Sequence, residues 1–365
     1  MKAALFSSVP YIGPAARGVW PVAADPYSAE VAERSMEASL EQFQLADELG
    51  FDWVTVAEHH YAPMSLTPNP MIMAGALTQR VKRARIALLG PDVPILNPVR
   101  VAEEFAMLDT LTGGRLIAGM MRGTSNEYAT YSLNPAESRG RFEEALQLIV
   151  KAWTEPQPFG WQGRYYEYRT IAIWPRPVQR PFPPIYVSGS SPESAEFAAR
   201  HHLNVGFAFT TLPFARDAVR YYRQQAAAQG WQPSAEQVLY RVAVHAADTH
   251  EQAMEDLLSA GQGERRTAYS TSNRAVDEAA AEAGFYGRDV GTQRARLAPH
   301  DLQERLDLGQ IAVGSPDTLL SQIRTIRDEL GAGIVEVIFS PVGRDKTRHA
   351  IELFGTKVLP RLAEL

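Results

Sequence analysis

Cysteine is absent from all 365 residues, which excludes disulfides, thiolate metal sites and cysteine nucleophiles together and agrees with a reducing cytosol. Long apolar runs are missing too. No stretch approaches the about 20 residues that cross a bilayer, and the opening MKAALFSSVP has one basic residue and a short apolar run before Ser7, too little for a signal peptide. Clustered positive charge is the third absence. The net charge is −6, and Lys and Arg are scattered, whereas a nucleic-acid surface needs grouped cations to neutralise phosphates. These absences leave the expectation of a cytoplasmic enzyme acting on small molecules.

With 45% hydrophobic residues the chain can bury one large core, and a single domain over residues 1–365 is expected. Short apolar runs, rich in β-branched or aromatic residues, read as strands: residues 3–6, 53–57, 85–89, 115–119, 185–189, 204–209, 238–246 and 334–340. Between them, apolar residues recur at helical spacing, as in Val101, Phe105 and Leu108, or Leu319, Ile323, Ile326 and Leu330. Asn97, Ser191 and Ser315, each followed by Pro, mark helix starts. Gly50, Gly113 and Gly331 mark helix ends. Eight strands alternating with helices predict α/β architecture, specifically a (β/α)8 TIM barrel with insertions. An open doubly wound sheet is the runner-up, but no G-x-G-x-x-G follows the first strand.

Two stretches interrupt the alternation. Residues 154–184 alternate aromatic and polar side chains around Gly163 and then become Pro-rich, which predicts a hairpin insertion. Residues 261–310 are mostly polar and predict a lid-like insertion.

The stretch FDWVTVAEHHYAP, residues 51–63, carries the strongest candidate chemistry. Glu58, His59 and His60 follow a strand directly, and barrel enzymes place catalysis at strand C-termini. Zinc is the first rival, but neither H-E-x-x-H nor H-x-H is present and adjacent residues on an extended chain point apart. A packed structural pair is the second rival. Strand-end placement tips the Glu58, His59 and His60 group toward catalysis, with an imidazole acting as base or donor. IYVSGSSPES, residues 185–194, is a strand, a small-residue turn and a helix start, so Ser188, Gly189, Ser190 and Ser191 offer an anion site through the backbone N–H groups of Gly189, Ser190 and Ser191 and the hydroxyls beside them. An ordinary strand-to-helix turn explains the same residues. GMMRGTSNEY, residues 119–128, adds Arg122 as a second anion contact beside Gly123, or as a plain surface arginine. LLGPDVP, residues 88–94, reads either as a pocket wall at Gly90 or as a rigid loop. His245, His250, His300 and His349 carry no spacing signal.

Taken together, AEHH, NPVRVAEEFAMLDTLTGGRLIAGMMRG, RPFPPIYVSGSSPES and GSPDTLLSQIRTI followed by ELFGTKVLP resemble the flavin-dependent luciferase-like monooxygenases over nearly the whole chain. The resemblance implies reduced FMN (FMNH2) supplied by a separate flavin reductase, O2 as cosubstrate, a flavin C4a-peroxide, a small apolar organic substrate and a homodimer. It implies that His59 is the catalytic histidine, that Glu58 lies beside the flavin ring, and that Arg122 with Ser188, Gly189, Ser190 and Ser191 holds the phosphate. Leu89, Gly90, Met121 and Tyr128 complete the implied cofactor-binding set. In bacterial luciferase a non-prolyl cis bond falls at the position of Leu89 and Gly90; here Pro91 follows, so that bond falls there, one residue later, or nowhere. Met121 replaces a reactive cysteine, which weighs against light emission and leaves oxygenation open. Deazaflavin-dependent hydride transfer is the nearest alternative, a metal-dependent hydrolase the more distant one. Tyr11, Trp20, Tyr61 and Tyr269 are further candidates for the substrate pocket.

Overall fold

The computed structural model describes residues 1–15, 20–264, 274–285, 298 and 300–365. The strands are β1 (Lys2–Phe6), β2 (Trp53–Val56), β3 (Arg85–Leu88), β4 (Leu116–Gly119), β5 (Phe159–Gln162), β6 (Glu167–Ile171), β7 (Ile185–Ser188), β8 (Asn204–Phe207), β9 (Val238–Ala246), β10 (Ile311–Gly314) and β11 (Ile334–Phe339). A parallel ring runs β9-β11-β1-β2-β3-β4-β7-β8 and closes where β8 pairs with β9. These are the eight strands legible in the sequence, and they make the predicted (β/α)8 barrel. The sequence reading omits β10, which pairs with the last residues of β9 outside the ring. Four residues ending in Gly give too little pattern to separate strand from loop.

Alternation along each strand sorts the side chains into two cores. Leu5, Val54, Val56, Ile86, Leu88, Leu116, Val187, Val205, Val242 and Val335 face outward into the layer shared with the helices. Their alternates Ala4, Trp53, Ala87, Ile117, Tyr186, Leu239 and Ile334 fill the interior, where the rings of Trp53 and Tyr186 meet edge to face at 5.3 Å. Each large side chain buried this way contributes roughly 1.5–3 kcal/mol, so the outer layer, with many more of them, supplies most of the stabilisation.

Helix ends follow local chemistry. Asn97, Ser191 and Ser315 accept backbone N–H bonds at the starts of Pro98–Thr112, Pro192–Arg200 and Pro316–Leu330. Within residues 154–184, β5 and β6 form an antiparallel pair. The Glu144 carboxylate holds the turn of that pair by accepting from the Trp161 indole and the backbone N–H groups of Arg164, Tyr165 and Tyr166. Gly119 permits close approach of β4 to β3: a Cβ there would sit 2.2 Å from the Leu88 carbonyl oxygen. Among the described residues the cis peptides are Trp20–Pro21, Trp174–Pro175 and Arg180–Pro181, so both bonds of Gly90 are trans.

The entry to β3 depends on Asp47, a buried residue of helix Ala29–Leu49. Its carboxylate accepts from the backbone N–H groups of Lys82, Arg83 and Ala84 at 2.9, 2.9 and 2.6 Å. Burial pushes this carboxyl up, but those donors together with the Arg83 charge outweigh it and leave it below the usual carboxylate range. Asp47→Ala is expected to cost about 3 kcal/mol, from three donors left unpaired, read as a lower midpoint in urea at pH 7. Because the folded value is depressed, this contribution is present above the unfolded value of 3.8 and is lost as pH falls through the lower folded one. The gap between wild type and variant should therefore close in acid, and a gap unchanged down to the acid transition would exclude the role.

Candidate active site at the carboxyl rim of the barrel

All ring strands are parallel, so the segments after β2, β3, β4 and β7 leave from one rim. Residues 58 and 60 share a side of the extended chain after β2 and residue 59 takes the other. That alternation separates the two histidines. Buried Glu58 faces buried His60, Oε1 to Nε2 at 3.0 Å, and its other oxygen accepts from the Asp92 N–H at 3.1 Å. His60 also packs edge-on against Tyr131 at 5.2 Å. Glu58 is thus engaged with His60 and the β3 exit.

His59 pairs with a residue the sequence reading missed. Its Nδ1 lies 3.4 Å from Oε1 of Glu127. Glu127 sits in the first turn of helix Ser125–Thr130, where it forms a capping box with Thr124: Oε2 accepts from the Thr124 N–H at 2.9 Å and from its hydroxyl. The T-x-x-E spacing of residues 124–127 was the available signal. Burial pushes the Glu127 carboxyl up, but the bonds from His59 and Thr124 prevail and hold it below its usual range. The capping box thereby presents an ionised carboxylate to the His59 ring.

Asp92 completes the rim of β3. Its segment makes a parallel bridge with Met121 beyond β4, and Gly123 leaves room for its carboxyl, since a Cβ at 123 would stand 3.1 Å from Asp92 Cγ. Burial raises the Asp92 carboxyl well above the ordinary value, and the charges of Glu127 and Glu58 raise it further. Gly90 joins β3 to β2 by accepting the Glu58 N–H at 3.0 Å, and a Cβ there would crowd Ala57 at 3.1 Å. Leu89 is buried in the barrel interior, with Met121 packed against the same cluster.

The Arg122 guanidinium donates to Ser138 Oγ at 3.0 Å and to the Phe285 carbonyl at 2.6 Å, and lies 4.0 Å above the Phe285 ring. The buried Tyr128 donates its hydroxyl to the Arg122 carbonyl at 2.7 Å and packs on Phe285. The described helix Arg274–Glu282 and Phe285 therefore rest on the segment after β4. At the neighbouring exit of β7, the Gly189 N–H is spent on the Gly206 carbonyl of β8, and the Ser190 N–H turns to Ser188 Oγ. Two of the three backbone donors expected for an anion are thus already engaged, because the ladder with β8 extends past the strand end. The hydroxyls are bonded as well: Ser188 donates to Ser190, and Ser191 caps the next helix. A second omission of the sequence reading lies here. Arg139, next to Ser138, reaches Ser191 Oγ with Nη2 at 3.2 Å.

Of the further pocket candidates, Trp20 and Tyr61 stack at 6.0 Å and the Trp20 indole donates to the His60 carbonyl. Tyr11 instead stacks on Tyr27 and accepts the Ser28 N–H. Tyr269 lies outside the described residues, as does much of 261–310. Among the described residues no group of three His, Asp or Glu side chains is placed to hold a metal ion. His245 is buried and meets Asp256 at 3.0 Å, with Lys346 on the far carboxylate oxygen. No described helix is long and apolar enough to cross a membrane.

The fold agrees with known proteins. A monooxygenase from Streptomyces bottropensis superposes with a TM-score of 0.76 at 25% identity, covering 99% of both chains. The oxygenating constituent of 3,6-diketocamphane monooxygenase from Pseudomonas putida, solved with FMN, has the same TM-score at 21% identity and shares the fold. In sequence, the 4-hydroxyprotoasukamycin monooxygenase of Streptomyces nodosus is 25% identical over 90% of this chain and 87% of its own length. The oxygenase component of the flavin-dependent trigonelline monooxygenase from Acinetobacter baylyi is 30% identical over 46% of each. An F420-dependent glucose-6-phosphate dehydrogenase from Amycolatopsis mediterranei is 26% identical over 88% of this chain and 92% of its own. The chain spans about half the length of the first curated relatives it matches. The family description luciferase-like monooxygenase matches residues 19–333, and with that coverage over a closed parallel barrel the chain belongs to the luciferase-like monooxygenase family.

Proposed function

We propose that the chain is a reduced-FMN-dependent monooxygenase that inserts one oxygen atom of O2 into a small organic substrate, with reduced flavin delivered by a separate reductase. The observation that carries this reading is the pairing of His59 with the ionised Glu127 on the same rim as the serine turn after β7. The two exits are three strand spacings apart around the ring, about 14 Å along the sheet, a reach suited to a flavin ring, ribityl chain and phosphate in one molecule. The residues fit the cofactor by their chemistry. Hydroxyls of Ser188, Ser190 and Ser191 and the guanidinium groups of Arg139 and Arg122 form the donor set for a phosphate. Gly90, Gly119 and Gly123 keep the wall between the two ends low, with Leu89, Met121 and Tyr128 as its apolar and aromatic members.

When bound, reduced FMN supplies the electrons and the oxygen-activating ring; the protein supplies position, proton control and dryness. Glu127 fixes the His59 ring through Nδ1, and the imidazole takes up or gives a proton at the reacting end. Asp92, whose carboxyl burial pushes toward its neutral form, limits the negative charge gathered between Glu58 and Glu127. Helix Arg274–Glu282 and Phe285, which rest on Arg122 and Tyr128, are suited to exclude water. Homodimer assembly and a cytoplasmic setting belong to the same reading.

Titration with photoreduced FMN under argon tests the cofactor. Arg139→Ala should weaken binding about tenfold or more, the value of a charge-assisted bond, whereas His59→Ala and Glu127→Gln should leave it within about threefold and lower kcat by about 10²–10⁴. Equal binding by wild type and Arg139→Ala would remove the phosphate assignment. The F420-dependent relative makes hydride transfer to or from a deazaflavin the second reading, and tighter binding of reduced F420 than of reduced FMN would select it.

Asp92 yields a pH-dependent prediction of stability. Its folded value is raised above the unfolded 3.8, so the favourable term is complete below 3.8 and is lost as pH rises through the folded value. At pH 8 the wild type carries that cost, and Asp92→Asn should raise the melting temperature more at pH 8 than at pH 5. A uniform or absent gain would show that Asp92 is ionised in the folded protein.

A further inference from the structure

Above its apolar inner layer the barrel wall turns polar on three of four consecutive strands. Leu239, Ile334, Ala4 and Trp53 belong to the inner cluster on β9, β11, β1 and β2. Two residues onward along each strand, on the same face, stand Arg241, Glu336, Phe6 and Thr55. These positions lie toward the carboxyl rim. Arg241 and Glu336 are register partners, as are Phe6 and Thr55, so the four form one continuous patch.

The patch is buried and incompletely bonded. Arg241 is 7% exposed, and Glu336 and Thr55 are 0% exposed. Arg241 Nε donates to Glu336 Oε2, and the guanidinium lies 3.6 Å above the Phe6 ring, with Phe209 at 5.3 Å. That single bond is the only one the guanidinium makes among the described residues, so both Nη groups have no partner there. Glu336 Oε1 and Thr55 Oγ1 are also without a partner. Buried polar groups in folded proteins are nearly always bonded, to protein, water or ligand. Here a planar N–H fork, a carboxylate oxygen and a hydroxyl stand together inside the barrel, below the rim that carries His59.

We propose that Arg241, Glu336 and Thr55 form the head-group subsite for the organic substrate and take an uncharged group in which a carbonyl oxygen lies next to an N–H or O–H, as in a carboxamide, an imide or a hydroxy ketone. The carbonyl accepts from the Arg241 fork. The neighbouring N–H or O–H donates to Glu336 Oε1, with Thr55 as second partner. Charge excludes a carboxylate: Glu336 already neutralises Arg241, and the facing rim holds the carboxylates of Glu58 and Glu127, so an added anion would be buried without a counter-charge. Phe6 fixes the plane of the guanidinium and so the direction of its fork. The inference rests on the carboxyl rim being the reaction site and specifies its substrate class.

Calorimetric titration of the full chain with benzamide, acetophenone and benzoate tests it. The three share a phenyl group, and only benzamide offers both a carbonyl and a donor without charge. Wild type should bind benzamide at least tenfold more tightly than either of the others. Removing one member of a buried ion pair strands the other charge, whereas replacing both with apolar residues is tolerated, so the principal variant is Arg241→Met with Glu336→Leu. It should bind all three probes equally, within about twofold. Thr55→Val, which keeps the shape, should reduce the benzamide preference about threefold. Equal binding of the probes by wild type, a preference that survives the double replacement, or no binding at all would overturn the subsite and leave the patch as a place for ordered water. Flavin fluorescence measures FMN binding separately: failure of wild type to bind FMN would overturn the monooxygenase reading, and a lost probe ranking with FMN binding intact would overturn the subsite alone.

Discussion

The pairing of β9 with three neighbours is the constraint on which the molecule is arranged. One edge of β9 takes β11 along most of its length; the other takes β8 at Val238–Tyr240 and β10 at Ala243–Ala246. The first of these pairings closes the ring, and closure leaves no free edge in the barrel proper. The second diverts the chain. Beyond the barrel, β9 continues as the edge that carries β10, and helices His250–Ser259 and Leu302–Asp307 cover that extension through Ala253, Leu257 and Leu302. This satellite core anchors both ends of the excursion whose middle, at Phe285, returns to Arg122 and Tyr128. A nine-residue strand thus joins the closed scaffold to this satellite core.

Electrostatics on the rim follow from how few cations reach it. Glu58, Asp92 and Glu127 converge from β2, β3 and the helix after β4, and among the described residues two imidazoles bond them. Glu58 takes His60 and a backbone N–H, and Glu127 takes His59 and its own helix cap. Asp92 has neither, and desolvation in a space shared with two other carboxyls favours its neutral form. Two of the carboxyl groups therefore divide by environment, Glu127 held toward its ionised form and Asp92 pushed toward its neutral one, the pattern by which sites set proton donors and acceptors apart. Arginines occupy the other parts of the wall: Arg122 and Arg139 over the β4 and β7 exits, and Arg241 inside the barrel against Glu336.

Much of this was legible in local sequence. The eight ring strands show as short runs of β-branched and aromatic residues because both of their faces are buried, and Asn97, Ser191 and Ser315 announce helices because an oxygen side chain before Pro satisfies orphan N–H groups wherever it occurs. The histidine pair was marked by its place after a strand, and the family resemblance pointed to His59 within it. Its partner was harder to find: Glu127 is 68 residues away in the chain, and although the capping box of residues 124–127 is a local motif, nothing local says which oxygen of Glu127 will meet an imidazole. The Ser188–Ser191 turn shows the converse. Its residue types suggested three backbone donors, yet the Gly189 N–H belongs to β8, since a ladder is a property of two strands and not of one.

What the sequence by itself determined was therefore periodic or adjacent: strand and helix faces, caps, the exclusion of thiol chemistry, and the placement of histidines and serines at strand ends. Tertiary structure alone decided the pairings between distant segments. It decided that His59 and not His60 turns to Glu127, that Asp92 is the carboxyl without a counter-charge, that Arg139 joins Ser191, and that Arg241 and Glu336 meet inside the barrel. The reason is physical: propensity and capping act over a few bonds of chain, whereas charge pairing, desolvation and close approach depend on distance through space, and that distance is fixed only when the ring closes.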